Sequence, residues 1–145
     1  MTFKLTAGTL ARVSAAEVPV AGPVSLADLP GRPCPIAASL EVVGERWALL
    51  VVREIWFGST RFTDIVRGTG APRDRVAARL KVLEQAGVVR REAYQDAPTR
   101  YDYRLTESGR ALVPVLRALL AWGREHAVSP DDPLLHLSEK KDRRP

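Results

Sequence analysis

The 145-residue chain has one cysteine and two histidines, and that scarcity removes several kinds of chemistry at once. A lone thiol, Cys34, forms no internal disulfide, and with His126 and His136 both near the C-terminus no metal-ligand cluster emerges from the spacing. Neither histidine stands in a recognisable nucleophile–base arrangement with Cys34, so no catalytic residue, metal or cofactor is expected. No apolar run reaches the roughly 18 residues of a membrane span. The first residues also lack the charged-then-apolar layout of a signal peptide, so the expectation is a cytoplasmic protein with no membrane contact.

Acid is also in short supply. Seventeen Asp and Glu stand against 22 Lys and Arg, a net charge of +5. The surplus is localised: between positions 61 and 105 ten basic residues face six acidic ones, so four of the five excess charges sit in that stretch. Basic charge alone does not define a partner. With 46% hydrophobic and 27% charged residues, the rest reads as one ordinary globular domain.

Within the basic stretch, Val76, Leu80 and Leu83 recur at i, i+4 and i+7, one face of an amphipathic helix closed by Gly87. At about 100° per residue, Asp74, Ala78, Lys81 and Gln85 fall opposite that face, with Arg75 and Val82 beside them. Upstream, residues 61–66 form a short helix that stops at Gly68-Thr69-Gly70; downstream, residues 88–94 and 100–105 are extended runs around a turn at 95–99. The order short helix, glycine turn, basic helix, hairpin is that of a helix-turn-helix with a wing. The expected class is mainly α with a small β-hairpin, a winged helix-turn-helix domain with N- and C-terminal helices for dimerisation.

Residues 1–33 carry prolines at 19, 23, 30 and 33 and form an arm, either mobile or packed on a neighbouring subunit. The winged domain with its dimerisation helix spans 34–127. It opens with a helix over 35–43 that has proline in its first turn, and continues with the apolar helix ALLVVREIW at 48–56. Thr106 caps a long helix, bent at Pro114, whose apolar side carries Leu112, Leu116, Leu119, Leu120 and Gly123. That side either folds back on the chain's own core or pairs with a second subunit in a homodimer. Residues 128–145 balance four acids with four bases and read as a solvated tail.

These residues carry a family resemblance. Cys34-Pro35, Gly44 with Arg46-Trp47, Arg61-Phe62, Arg79-Leu80 with Leu83-Glu84 and Gly87, Pro98 with Arg100 and Tyr103, Leu105-Thr106 with Gly109, and Pro114-Val115-Leu116 with Trp122-Gly123 agree in order and spacing. Over 34 to about 126 the chain closely resembles the HxlR-type winged-helix transcriptional regulators. The resemblance implies a homodimer on near-palindromic operator DNA, with the recognition helix in the major groove and the wing at the flanking backbone. In some members a cysteine at the position of Cys34 senses oxidants or electrophiles. Two departures stand out: Ala71 replaces a capping serine of many members, and Ala77 a hydroxyl residue.

Candidate DNA contacts are Thr63, Arg73, Arg75, Ala78, Arg79, Lys81, Gln95, Thr99 and Arg100. Arg75 is the base reader, because a guanidinium meets guanine O6 and N7 bidentately. Arg73 reaches phosphate or stays solvated, and Lys81 meets the backbone. Arg79 lies roughly 60° from Val76, so an internal ion pair competes with DNA contact. Ala78 is either a plain helix former or a small residue admitting the helix to base edges. Gln95, Thr99 and Arg100 on the wing suit phosphate or minor groove, or serve only as turn residues. Cys34 is either a small buried hydrophobe or a sensor whose helix N-terminus stabilises thiolate. The expected partners are double-stranded operator DNA, a second copy of the chain, and an oxidant, electrophile or small-molecule effector. The alternative function is a winged-helix docking module without specific DNA binding.

Overall fold

The computed structural model describes residues 22–135. The expected arm and tail therefore lie partly outside the described residues. Of the arm, positions 22–33 run along the surface with one 3-10 turn, Leu26–Asp28, and no buried side chain. Helices α1 (Pro35–Val43) and α2 (Ala48–Trp56) follow at the bounds the sequence predicts. Proline sits in the first turn of α1, where its missing N–H costs nothing.

Helix α3 (Phe62–Thr69) ends at Gly70, which is left-handed at φ 70. A β-carbon there would be strained, so the turn of the helix-turn-helix needs this glycine. The Thr69 hydroxyl donates to the Val66 carbonyl at 3.1 Å and accepts the Ala71 N–H at 3.2 Å, holding the turn. Helix α4 (Arg73–Gln85) then buries Val76, Leu80 and Leu83 with Val51 and Val52 of α2 and Ile65 of α3. It closes with Gly87 at φ 74, while the Val88 N–H returns to the Leu83 carbonyl and the Gly87 N–H to that of Glu84. That pair of bonds is a Schellman cap.

The wing is one antiparallel hairpin, β1 (Val89–Asp96) and β2 (Thr99–Leu105), paired from Val89 with Leu105 out to Asp96 with Thr99. It is longer than expected. The turn assigned to 95–99 shrinks to Ala97-Pro98, joined by a cis peptide, because ladder bonds come from backbone groups, which turn-forming side chains at 95, 96 and 99 do not remove. The register slips between Ala93 and Gln95, a bulge at Tyr94. The Tyr103 N–H donates to the Thr60 carbonyl at 2.8 Å, so the hairpin is tied to the α2–α3 loop.

Thr106 does cap a helix, accepting the Gly109 N–H at 3.1 Å, but that helix is short. The single bent helix expected here is two: α5 (Glu107–Arg110) and α6 (Val113–His126). Pro114 falls in the first turn of α6, where it opens a helix instead of kinking one. Leu112 and Leu116 pack on the chain's own core, so two of the five positions expected on a dimer face are already engaged. Val115, Leu119 and Trp122 point outward. Within the expected tail, positions 134 and 135 line a groove between α2 and α6.

Leu83 joins the inner face of α4 to the cap that ends it and is fully buried. Leu83→Ala should lower unfolding stability by about 2–5 kcal/mol. Urea denaturation followed by circular dichroism checks this.

Candidate nucleic-acid interface

With its inner face committed to the core, α4 presents Arg73, Asp74, Arg75, Ala77 and Lys81 to solvent. Its N-cap is Pro72, whose side chain makes no capping bond, and Ala71 is buried in the core. The helical wheel misplaces three residues. Ala78, expected at the centre of the exposed face, is half-buried together with Val82 and Gln85, and Ala77 is the open small position. Packing of α4 against α1 as well as α2 and α3 rotates the free face toward Ala77 and Lys81.

Ion pairing divides the ten cations of the basic stretch. Arg79 takes the internal option, pairing with Glu45 at 3.4 Å, and it is held back from the outer face. Arg91 pairs with Glu84 at 2.9 Å and stacks on Tyr101. Arg104 pairs with Glu92 and Asp102, Arg90 with Glu92, Arg67 with Asp64, and Arg61 with Asp102. Among the described residues no carboxylate pairs with the remaining four, Arg73, Arg75, Lys81 and Arg100. Each exposed pair adds little stability. Their effect is to concentrate uncompensated charge on α4 and the wing.

Asp102 organises the seam between wing and helices. It accepts from Arg61 Nε at 2.6 Å and from the Thr60 hydroxyl at 3.2 Å. The same Arg61 guanidinium lies 3.4 Å from the centre of the Tyr94 ring. The result is a cleft of about 270 Å³ in which Thr63, Thr99 and Arg100 meet Arg61, Phe62 and Tyr94. Arg73 extends the stack, 5.0 Å from the Phe62 ring. Gln95 stays apart at the wing tip, donating to the Ala97 carbonyl at 3.4 Å, and Thr99 donates to the Asp96 carbonyl at 3.3 Å. Both side chains therefore also close the turn.

The candidate list omitted Arg61, Tyr94 and Asp102. Arg61 and Asp102 stand 41 residues apart in sequence, and Tyr94 lies at the register slip between Ala93 and Gln95, so no local spacing joins the three. A charged residue next to Phe62 was the sole local signal.

Cys34 is the N-cap of α1, half-buried, and its sulfur accepts the Ala37 N–H at 3.4 Å. Among the described residues no group of His, Cys, Asp and Glu is placed to hold a metal ion, and no helix is long and apolar enough to cross a membrane.

The profile of the HxlR-like helix-turn-helix family matches residues 42–131. An uncharacterised HTH-type transcriptional regulator of Mycobacterium tuberculosis is 41% identical over 102 residues, 70% of this chain and 65% of the relative. The chain thus spans somewhat less than two thirds of that relative's length. Among solved structures, the reduced form of the transcriptional regulator YodB from B. subtilis superposes with a TM-score of 0.56 at 32% identity, covering 68% of this chain and 98% of YodB. The redox regulator HypR in its oxidised form gives 0.56 at 30%, covering 66% of this chain and all of HypR. The winged-helix architecture is shared with these regulators.

Tyr103 supplies a pH signature for the seam. Burial raises its phenol above the ordinary tyrosine value of 10.0, with the Arg91 guanidinium opposing. The folded state holds this proton more tightly than the unfolded one, so its contribution is complete below pH 10 and is lost as pH rises further. Tyr103→Phe should therefore flatten the loss of stability above pH 10, read from urea midpoints across the alkaline range.

Proposed function

We propose, from the premise that this chain belongs to the HxlR-like helix-turn-helix family, that it is a sequence-specific DNA-binding transcriptional regulator acting as a homodimer. The observation that carries this reading is the distribution of charge: among the described residues, the four cations of the basic stretch without a carboxylate partner lie on the outer face of α4 and at the wing. Arg75 reads base edges in the major groove. Arg73, Lys81 and Arg100 hold phosphates, helped by the hydroxyls of Thr63 and Thr99 and by the backbone N–H groups at the uncapped start of α4. Arg79 supports α4 through Glu45, and Ala77 gives the helix room at the groove floor. Gln95 shapes the wing tip.

The dimer face is apolar. Ile36 and Leu40 of α1 are 73% and 59% exposed, and Trp122 of α6 is 60% exposed, with Val115 and Leu119 alongside. Gly123 and Leu120 flank this stripe. Such surface on a small domain favours a second copy, and two-fold symmetry then demands half-sites separated by about one helical turn, roughly 34 Å. The DNA-binding unit is residues 34–127, working in the cytoplasm. Repression follows most simply, since a dimer on a promoter excludes polymerase without any further contact surface.

Cys34 is the switch in this reading. Support comes from its sulfur at the start of α1, beside the proposed dimer face, and from the likeness to a redox regulator. Oxidation or alkylation of the thiol displaces α1 and changes the separation of the two recognition helices, which linkage converts into a change of operator affinity.

Two measurements follow. In binding titrations on upstream DNA, Arg75→Ala should weaken selective binding by about 10- to 100-fold while sparing non-specific binding. Lys81→Ala and Arg100→Ala should instead weaken all sequences alike and each reduce the salt slope by about one. Diamide should release DNA from the wild type and leave Cys34→Ser bound; equal release from both would remove Cys34 from the mechanism.

A further inference from the structure

Arg61 is gripped by both strands of the wing at once. Asp102 of β2 accepts from its Nε at 2.6 Å, and the Tyr94 ring of β1 covers the same guanidinium, 3.4 Å from the ring centre. The inner end of this contact does not give. Arg61 is the N-cap of α3, and the far end of α3 is tied to α2 by Arg53, whose Nη2 donates to the Gly68 carbonyl at 2.9 Å. A β-carbon at Gly68 would collide with the buried Glu54 carboxylate, so α2 and α3 touch there without slack.

The outer end is the wing. From its buried base at Val89 and Leu105, the hairpin is tied to the helical body by Arg91 to Glu84 and by the Tyr103 N–H to the Thr60 carbonyl. The last tie toward the tip is Asp102, to Arg61 and to the Thr60 hydroxyl. Beyond it, among the described residues, the hydrogen bonds of positions 95–100 stay within the hairpin. Arg100 stands two residues further out on β2, roughly 7 Å along the strand. Its place relative to α4 is therefore set at Asp102.

A carboxylate is costly at this position. Asp102 stands directly across the ladder from Glu92, a like-charge pair that weakens a hairpin, and in a wing proposed to meet a polyanion. Arg104 bridges the two carboxylates only at 3.6 and 3.7 Å. Neither hairpin stability nor attraction for DNA accounts for Asp102, whereas its grip on Arg61 does.

We propose that Asp102 is a positioning residue for DNA recognition: with Tyr94 it clamps Arg61 and sets the angle at which the wing carries Arg100 to a phosphate while α4 sits in the groove. Asp102 itself touches no DNA. A shift of about an ångström at Arg100 is enough to take its bond out of the ordinary range of about 2.7–3.2 Å. The inference rests on the regulator reading for its consequence, but the clamp itself does not.

Charge alone predicts the opposite effect, because Asp102→Asn removes a negative charge and frees Arg61, which should tighten DNA binding. With the clamp, the full chain carrying Asp102→Asn should bind upstream DNA about fivefold or more weakly than wild type, with a salt slope lower by about one. Arg61→Lys, which keeps the charge but loses the planar face and the Nε donor, should do the same. In the Asp102→Asn background, Arg100→Ala should cost less than about twofold more, while Lys81→Ala on α4 keeps its full cost. Without DNA, backbone nitrogen relaxation should show residues 95–100 losing order in Asp102→Asn while the residues of α4 keep theirs. Binding by Asp102→Asn as tight as wild type or tighter, full additivity with Arg100→Ala, or an unloosened wing would each overturn the positioning role. A wing loosened as stated, in a protein whose wild type has no selective affinity for any DNA, would support the clamp and overturn the regulator reading.

Discussion

Burial of Val76, Leu80 and Leu83 against α2 and α3 does more than stabilise the domain, because it decides which way α4 faces. A helix anchored along one stripe has no freedom to roll, so the side chains of the opposite stripe are aimed as well as exposed. The left-handed Gly70 before α4 and the Schellman cap after it fix where the helix begins and ends. Loss of that apolar contact would leave the same charges on a surface without direction.

Electrostatics then refines what packing exposes. The carboxylates of this region are not spread at random against its cations: Glu45, Asp64, Glu84, Glu92 and Asp102 each take an arginine at the edge of α4, along α3 or on the body of the wing. What remains uncompensated among the described residues of this region, Arg73, Arg75, Lys81 and Arg100, lies on α4 and on the wing. A polyanion meets positive charge where it docks and near-neutral surface elsewhere, which serves orientation more than raw affinity. Asp102 is the pivot of this arrangement, since it holds Arg61 in its stack on Tyr94 and ties the wing to the α2–α3 loop through Thr60.

Much of this was legible in the sequence. Helices α1 and α2 were bounded by Pro35, Gly44 and an apolar run, and α4 by its period and Gly87, all local signals. Where reading by residue type went astray, geometry beyond the local window had intervened. The hairpin kept pairing through residues that favour turns, and Pro114 found a helix start to occupy. Ala78 lost its central place because α1 also covers α4, and Arg79 was decided by Glu45, thirty-four residues away. The Arg61–Tyr94–Asp102 seam and the Arg53–Gly68 tie left no trace in spacing, since each joins elements only the folded chain brings together.

The central claim is that two copies present two symmetric α4 faces to one operator. Hydroxyl-radical footprinting of the upstream DNA tests it most directly. Two protected regions of similar extent, offset by about one helical turn, are the predicted result. A single asymmetric region, or no protection above non-specific background, would contradict it.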